Sequence, residues 1–321
     1  MTKKTLKLGE LFVGPGEREA GIHQITVHEH QMNIPLFLIN GKEDGPTLAV
    51  TAGIHGGEYA SIEAALQLGR SLQPEELRGQ VIVVPVANVL AFRAAVAKVC
   101  PLDGKNLNRV FPGSPAGTAS ERIAHWLMSD VIGQADYYVD LHGGGLTEAL
   151  VPFIVYHASG NDEVDRVSLE MARVFGIEYI VRTEISGSGY AVAAESGVPT
   201  ILAEAGERGR WPPELVAVHI NGLSRLMRHL GMLDGPTPEP LPSTLMIDEI
   251  WMSSGYDGYF YREIEVGAVV EKGQVLGRIT DFRGEVLDSV AAPDGGVVLF
   301  LLTGLAISKG GALLSIGIED E

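Results

Sequence analysis

The sequence predicts an α/β protein with a mostly parallel mixed sheet flanked by helices, followed by an all-β region. Between residues 47 and 230, short β-branched runs alternate with segments of helical periodicity, as in a largely parallel sheet covered by helices. Residues 231–243 are rich in proline and glycine and cannot continue either structure. Beyond them, glycines separate short apolar runs, which is typical of an all-β module. We therefore predict a domain over residues 1–230, a linker over 231–243 and a β domain over 244–321.

The alternation of β-branched runs and helical periodicity predicts the individual strands and helices. The predicted strands are residues 47–52, 81–86, 137–141, 153–156, 179–181 and 200–203. The predicted helices are residues 58–72, 120–128, 190–195 and 212–230. A further strand is predicted over residues 24–30, where His28 and His30 would share one face, either as a metal pair or as a solvated edge.

Composition and charge limit the classes of partner. The chain has 321 residues, with 24 Lys and Arg against 41 Asp and Glu, so its formal net charge is −17. Because this charge repels phosphate groups, we expect neither a nucleic acid nor an anionic membrane as a partner. The longest apolar stretch, residues 297–307, is about half of the ~20 residues that a spanning helix needs. The single cysteine, Cys100, cannot form an internal disulfide, so we expect a cytoplasmic protein.

The sharpest local feature is Gly-Ile-His-Gly-Gly-Glu at residues 53–58, where a predicted strand gives way to a helix. Catalytic loops of α/β sheets lie at such strand ends. His55 and Glu58 are three positions apart, so one turn can direct an imidazole and a carboxylate toward the same point. This arrangement suits two zinc ligands. A hydrogen-bonded histidine at a helix start is the alternative, because a His-x-x-Glu pair alone is not specific.

A second histidine followed by glycines ends the predicted strand that starts at residue 137. His142 could supply the third ligand of a catalytic zinc site, which keeps its fourth position for water. Asp140 lies two residues earlier on the same side of the strand. We expect it to orient the imidazole of His142, with a helix-cap or loop contact as the alternative.

A hydrolytic zinc site also needs a group that takes a proton from water and returns it to the leaving group. Glu204 directly follows an apolar strand, where a carboxylate is costly without a function or a partner. The rival candidate, Glu207, lies in a more polar stretch. Asn108 and Arg109 lie in a loop of turn-forming residues, where the guanidinium could bind a carboxylate or stabilise an oxyanion, or be structural.

Taken in order, His55-Gly-Gly-Glu58, Asn108-Arg109, His142 and Glu204 resemble the zinc carboxypeptidase-like superfamily, specifically its succinylglutamate desuccinylase/aspartoacylase branch. The match spans about residues 47–210. It implies a zinc carboxypeptidase-like fold with one zinc ion per chain, held by His55, Glu58 and His142. It also implies that Glu204 is the general base and acid. Arg109, with Asn108, would hold a substrate carboxylate or polarise the scissile carbonyl.

One position departs from the pattern, and the C-terminal region has a resemblance of its own. Many relatives carry Asp where Asn106 stands, which puts a carboxylate role there in doubt. Branch members have a C-terminal β domain, and residues 265–296 resemble a biotinyl/lipoyl-type barrel. The expected hairpin tip, residues 288–293, contains no lysine. We therefore predict an unmodified structural domain that also shapes the active site.

The resemblance implies a zinc-dependent amidohydrolase that cleaves the linear amide of a small anionic N-acyl amino acid. N-acetyl-diaminobutyrate, succinylglutamate and N-acetylaspartate are candidate substrates. Two alternatives stay open: a metallocarboxypeptidase acting on a peptide C-terminus, and a non-catalytic protein that binds a small molecule. A homo-oligomer is also left open.

Overall fold

The computed structural model describes residues 5–27, 29–96 and 98–319. The helices within these ranges are α1 (Tyr59–Ser71), α2 (Val89–Arg93), α3 (Ala119–Trp126), α4 (Asp162–Phe175), α5 (Gly189–Glu195) and α6 (Pro213–His229). The strands are β1 (Leu6–Leu8), β2 (Leu11–Val13), β3 (Glu17–Val27), β4 (His30–Asn40), β5 (Glu43–Ala52), β6 (Arg78–Val84), β7 (Tyr137–His142), β8 (Glu148–Leu150), β9 (Phe153–His157), β10 (Tyr179–Thr183), β11 (Thr200–Glu204), β12 (Thr244–Ser253), β13 (Gly258–Arg262), β14 (Val269–Val270), β15 (Val275–Thr280), β16 (Val286–Ala291), β17 (Gly296–Leu302), β18 (Ala306–Ile307) and β19 (Ala312–Glu319).

One large mixed sheet organises the fold. Its centre has the order β12-β10-β9-β11-β7-β5-β6, and only the β11–β9 pairing there is antiparallel. The outer strands β3 and β4 on one side, and β19, β17, β14 and β8 on the other, all pair antiparallel. The prediction of a mostly parallel sheet therefore holds for the centre, whereas the sheet as a whole is mixed.

Helices cover both faces of this central sheet. Leu48 and Val50 of β5 belong to an apolar core that includes residues of α1, α4 and α6. Ala49, between them, belongs to the opposite core, which includes residues of α3 and α5. Successive side chains of a strand point to opposite faces, so a strand buried on both sides reads as a continuous apolar run.

The predicted elements have counterparts, with two differences worth noting. The helix predicted from residue 120 begins at Ala119, because Thr118 is the N-cap and its backbone N–H donates to the carboxylate of Glu121 at 2.8 Å. The strand predicted over residues 24–30 is not continuous. β3 ends at Val27, and the exposed His30 opens β4 opposite it. His28, the other half of that pair, lies outside the described residues.

The C-terminal strands divide between two sheets. β12 pairs parallel with β10 and antiparallel with β19, so it extends the large sheet. β16, β15, β13 and β18 form a separate four-stranded sheet, in that order. Residues of both sheets share an apolar core, but the described residues form no closed sheet, so the predicted barrel is not confirmed. The expected hairpin tip is also wrong, because residues 286–291 form β16 and pair with β15.

The segment predicted as a linker begins in contact with the sheet. Met232 is fully buried, and its carbonyl accepts a hydrogen bond from the backbone N–H of Arg78 at 2.8 Å. Because β12 then continues the large sheet, the division into domains at residues 231–243 stays a prediction. Within the described ranges, no helix combines the length and the hydropathy that crossing a membrane would require.

Candidate metal centre

Three of the predicted site residues lie where neighbouring strands end. His55 and Glu58 lie in the loop between β5 and α1, and Glu58 is the residue immediately before the helix. His142 is the last residue of β7, which runs parallel to β5 with Leu141 opposite Ala52. Because parallel neighbours end at the same edge of a sheet, the loop after β5 meets the end of β7.

The ligand atoms of these three residues converge. Nδ1 of His55 is 2.6 Å from Oε1 of Glu58, and Nδ1 of His142 is 3.0 Å from Oε2 of the same carboxylate. One ligand atom from each side chain lies within 4.8 Å of the others, and all three residues are buried. The three side chains could therefore hold one metal ion. Two imidazole nitrogens and one carboxylate are donors that zinc accepts in catalytic sites.

Asp140 holds the imidazole of His142 from behind. Its Oδ2 is 3.1 Å from Nε2 of His142. Its Oδ1 accepts a hydrogen bond of 2.6 Å from the hydroxyl of Thr51, which lies 2.6 Å from the hydroxyl of Tyr138. The carboxylate is fully buried. It therefore contacts the histidine ring, as one of the two sequence interpretations expected, and leaves Nδ1 facing Glu58.

Asn106 contacts the imidazole of His55 in the same way. Its Oδ1 lies 3.0 Å from Nε2 of His55 and also accepts a hydrogen bond from the backbone N–H of Asn108 at 2.9 Å. The sequence marked this position only as a departure from a family pattern. The structure gives the amide oxygen a contact with a candidate ligand, so both rings are oriented through Nε2.

The charges of the centre favour an ionised carboxylate. Burial opposes ionisation of Glu58, but the neighbouring His55 and His142 lower the pKa of its carboxyl to about 2. Burial opposes protonation of His142, but Asp140 and Glu58 outweigh it and raise the pKa of the ring well above its ordinary value. Without a bound ion, His142 therefore carries a proton that a metal has to displace.

Glu204 faces the same cavity with its carboxylate unpartnered. It is the last residue of β11, and its Oε2 accepts no hydrogen bond from the residues that the structure describes. Burial, together with the negative charge of Glu58, raises the pKa of Glu204 to about 8. Such a group exchanges protons near neutral pH. The rival Glu207 lies 3.8 Å from each of two arginines, Arg208 and Arg210, and does not line the cavity.

Asn108 and Arg109 also line this cavity. Oδ1 of Asn108 accepts a hydrogen bond from the backbone N–H of Gly189 at 3.0 Å, which ties the turn to the start of α5. Nη1 of Arg109 donates to the carbonyl of Asn108 at 2.7 Å. Arg109 forms no ion pair with any carboxylate in the described part of the chain, so its guanidinium is available to an anionic ligand.

Two glycines allow the loops of the centre to approach one another. A β-carbon at Gly56 would lie 2.3 Å from the backbone of Ala91 in α2, and one at Gly143 would lie 2.3 Å from the carbonyl oxygen of Ala205. Both distances are far below van der Waals contact. Because glycine has no β-carbon, the backbone segments around the site can pack closely against one another at these two positions.

Several cavity residues carry no recognisable sequence signal. Glu249 and Trp251 of β12 and Phe300 of β17 bring the C-terminal region into the cavity wall. Lys98 lies 2.6 Å from Glu148 and 5.3 Å from the ring centre of Phe300. These contacts join residues far apart in sequence, so no local motif could have indicated them.

Comparison with known proteins agrees with this geometry. The family model described as succinylglutamate desuccinylase/aspartoacylase catalytic domain matches residues 44–230, which is more than half of the chain. The chain belongs to this family. The branch inferred from the sequence is thereby confirmed.

Individual relatives and solved structures resemble most of the chain. N-alpha-acetyl-L-2,4-diaminobutyric acid deacetylase of Halomonas elongata is 32% identical over 255 residues, covering 77% of this chain and 74% of the relative. A succinylglutamate desuccinylase/aspartoacylase of Rhodobacter sphaeroides superposes with a TM-score of 0.85 at 26% identity, over 95% of this chain and 96% of the other. The product-bound structure of the ectoine utilization protein EutE (DoeB) of Ruegeria pomeroyi also superposes with a TM-score of 0.85. It is 29% identical and covers 94% of this chain and 95% of the other.

Proposed function

We propose that this protein is a zinc-dependent amidohydrolase that removes the acyl group from a small N-acylated amino acid. The observation that carries the proposal is the convergence of His55, Glu58 and His142 beside the unpartnered carboxylate of Glu204. The family supports the reaction class, because its named members here are a deacetylase and a desuccinylase. Both names describe removal of an acyl group.

Each side chain has a definite task in such a reaction. Zinc at this site would supply Lewis acidity that polarises the amide carbonyl and acidifies a water molecule. Glu204 accepts a proton from the attacking water and delivers it to the nitrogen of the departing amine. The amide C–N bond breaks, and the products are a carboxylate and a free amine. Asp140 and Asn106 keep the two rings oriented throughout.

Arg109 supplies the positive charge that an anionic substrate needs. It has no carboxylate partner among the described residues and lies at the cavity wall beside Asn108. We propose that Arg109 binds the carboxylate of the amino acid or stabilises the oxygen of the scissile carbonyl, where negative charge develops. Asn108 fixes the turn that presents it.

The test is release of primary amine from N-acetyl and N-succinyl amino acids by zinc-loaded protein. We expect activity on an acyl amino acid, with Glu204→Gln lowering kcat/KM by about 100-fold or more while the bound zinc is retained. Glu207→Gln, which removes a carboxylate outside the cavity, is the matched control and should stay within about twofold.

Other outcomes identify the alternatives. Release of the C-terminal residue from dipeptides, with no acyl amino acid hydrolysed, would indicate a metallocarboxypeptidase instead. Tight binding of acyl amino acids without turnover, unchanged in Glu204→Gln, would indicate a binding protein and refute the proposal.

A further inference from the structure

The charged residues of the cavity do not all have a task in the hydrolysis. Six acidic or basic side chains other than histidine line it: Glu58, Lys98, Arg109, Glu148, Glu204 and Glu249. Glu58 belongs to the metal centre and Glu204 exchanges protons. Lys98 and Glu148 neutralise each other at 2.6 Å. One cation, Arg109, and one anion, Glu249, are left for the substrate.

Glu249 is held in place without a compensating charge. Its Oε1 accepts a hydrogen bond from the hydroxyl of Ser315 on β19 at 2.7 Å, and the side chain of Trp251 also hydrogen-bonds to it. Within the described ranges it forms no ion pair with lysine, arginine or histidine. Burial raises the pKa of its carboxyl above the ordinary value, although Ser315 and Trp251 partly offset this. The side chain is partly buried in the cavity wall. A desolvated carboxylate without a cation is disfavoured, and an ammonium group at this position would compensate its charge.

Glu249 lines the same cavity as the groups proposed to react. Burial raises the pKa of the Tyr190 hydroxyl, and that pKa also responds to the charges of Glu249, Arg109 and Glu204. These three groups and Tyr190 all line one cavity. A small molecule bound in this cavity with its amide at Glu204 would find a cation, Arg109, for a carboxylate and an anion, Glu249, for an amino group in the same walls.

We propose that Glu249 binds a free ammonium group of the substrate, so that the enzyme selects N-acyl diamino acids over neutral or dicarboxylic N-acyl amino acids. This inference rests on the proposed deacylase function. The charges of the cavity support this inference, because Arg109 can bind the substrate carboxylate and Glu249 can bind its ammonium group. The relative from Halomonas elongata is named for a diamino acid acetylated on one nitrogen, whose other nitrogen is free. Trp251 and Phe300, with ring centres 5.0 Å apart, add an aromatic wall beside the carboxylate.

The inference is tested by comparing kcat/KM for three substrates that differ in side-chain charge. These are Nα-acetyl-2,4-diaminobutyrate, N-acetylnorvaline as a neutral analogue of similar size, and N-acetylaspartate. For the wild type we expect the cationic substrate to exceed the neutral one by about 10- to 100-fold, which is typical of a charge-assisted contact. Glu249→Gln should reduce that ratio to about one, mainly through KM, and leave N-acetylnorvaline within about threefold. Asp248→Asn, which removes the exposed carboxylate next in sequence, is the matched control and should keep the ratio.

A second measurement separates this inference from the proposed function. Calorimetric binding of free 2,4-diaminobutyrate and norvaline needs no turnover. If the wild type hydrolyses none of the three substrates, the deacylase proposal fails, while loss of diaminobutyrate binding in Glu249→Gln would still support the ammonium contact. If the wild type prefers N-acetylnorvaline or N-acetylaspartate, or if Glu249→Gln keeps the wild-type ratio and affinity, the inference is overturned.

Discussion

Glu204, the last residue of β11, lies directly opposite His142, the last residue of β7, in the parallel pairing of these two strands. The backbone register of the central sheet therefore fixes the carboxyl of Glu204, the proposed general base, beside a candidate metal ligand. Catalytic groups set on strand ends are positioned more rigidly than groups on free loops. The chemistry proposed for this protein depends on that register.

The guanidinium of Arg109 is expected to contribute directly to substrate use. Arg109→Ala should lower kcat/KM on the best acyl amino acid by about 100-fold, because a charged donor to an anion is lost. Arg109→Lys keeps the charge but not the two-pronged geometry, so a loss of about tenfold is expected. Arg210→Ala, outside the cavity, serves as the control. Full efficiency in Arg109→Ala would rule out the role assigned to it.

The carboxylate of Asp140 is expected to strengthen metal binding without touching the metal. Asp140→Asn removes the charge that orients His142, so zinc affinity should fall by about 10- to 100-fold. Competition with a chromogenic chelator measures the change. Asp44→Asn, at an exposed position with no part in the site, should bind zinc like the wild type. An unchanged affinity in Asp140→Asn would mean that the contact is only structural.

Zinc binding should release a proton. His142 is protonated near neutral pH in the metal-free protein, because Asp140 and Glu58 overcome the effect of burial and raise its pKa well above the ordinary value. The ligand form is the neutral ring, so at least one proton leaves per ion bound at pH 7. Calorimetry in two buffers with different ionisation enthalpies gives this number directly. Binding enthalpies that do not depend on the buffer would show that no proton is displaced.

His219 should make the protein sensitive to acid. Burial lowers the pKa of this ring to about 4, and its Nε2 contacts the carbonyl of Ala205 at 3.0 Å. Between pH 6.5 and 4 the unfolded chain binds a proton there that the folded chain does not, so stability falls as the pH falls through this range. At pH 5 the loss from this residue amounts to about 2 kcal/mol.

Urea unfolding of metal-free protein at pH 7 and pH 5 checks this expectation. His219→Gln removes the titrating group, so the variant should lose about 2 kcal/mol less than the wild type between the two pH values. Equal losses in the two proteins would show that His219 is not the group responsible.

The sequence predicts the parts of the molecule that depend on local signals. The central strands were recognisable because β-strands buried on both faces form continuous apolar runs, as in β5 and β11. His55, Glu58 and His142 were recognisable because each pairs a ligand type with glycines at a strand end. Local signals also mark both ends of α4, because Asn161 caps it and Gly176 ends it in the left-handed conformation.

Other features depend on contacts that no local pattern encodes. Glycine spacing indicates C-terminal strands, but it does not say which sheet each strand joins, so the pairing of β12 with β10 cannot be predicted from it. Glu249 enters the cavity only because of that pairing. Asn106 contacts His55 from a loop about fifty residues away, and only the folded chain brings them together. The cytoplasmic location stays a prediction.

The most direct test of the account is a crystal structure of the zinc-loaded protein with anomalous data at the zinc edge. We expect one anomalous peak per chain, within about 2.0–2.2 Å of Nδ1 of His55, a carboxylate oxygen of Glu58 and Nδ1 of His142. The carboxylate of Glu204 should face the ion without binding it as one of these three protein ligands. A peak at any other group of residues, or none at saturating zinc, would contradict the account.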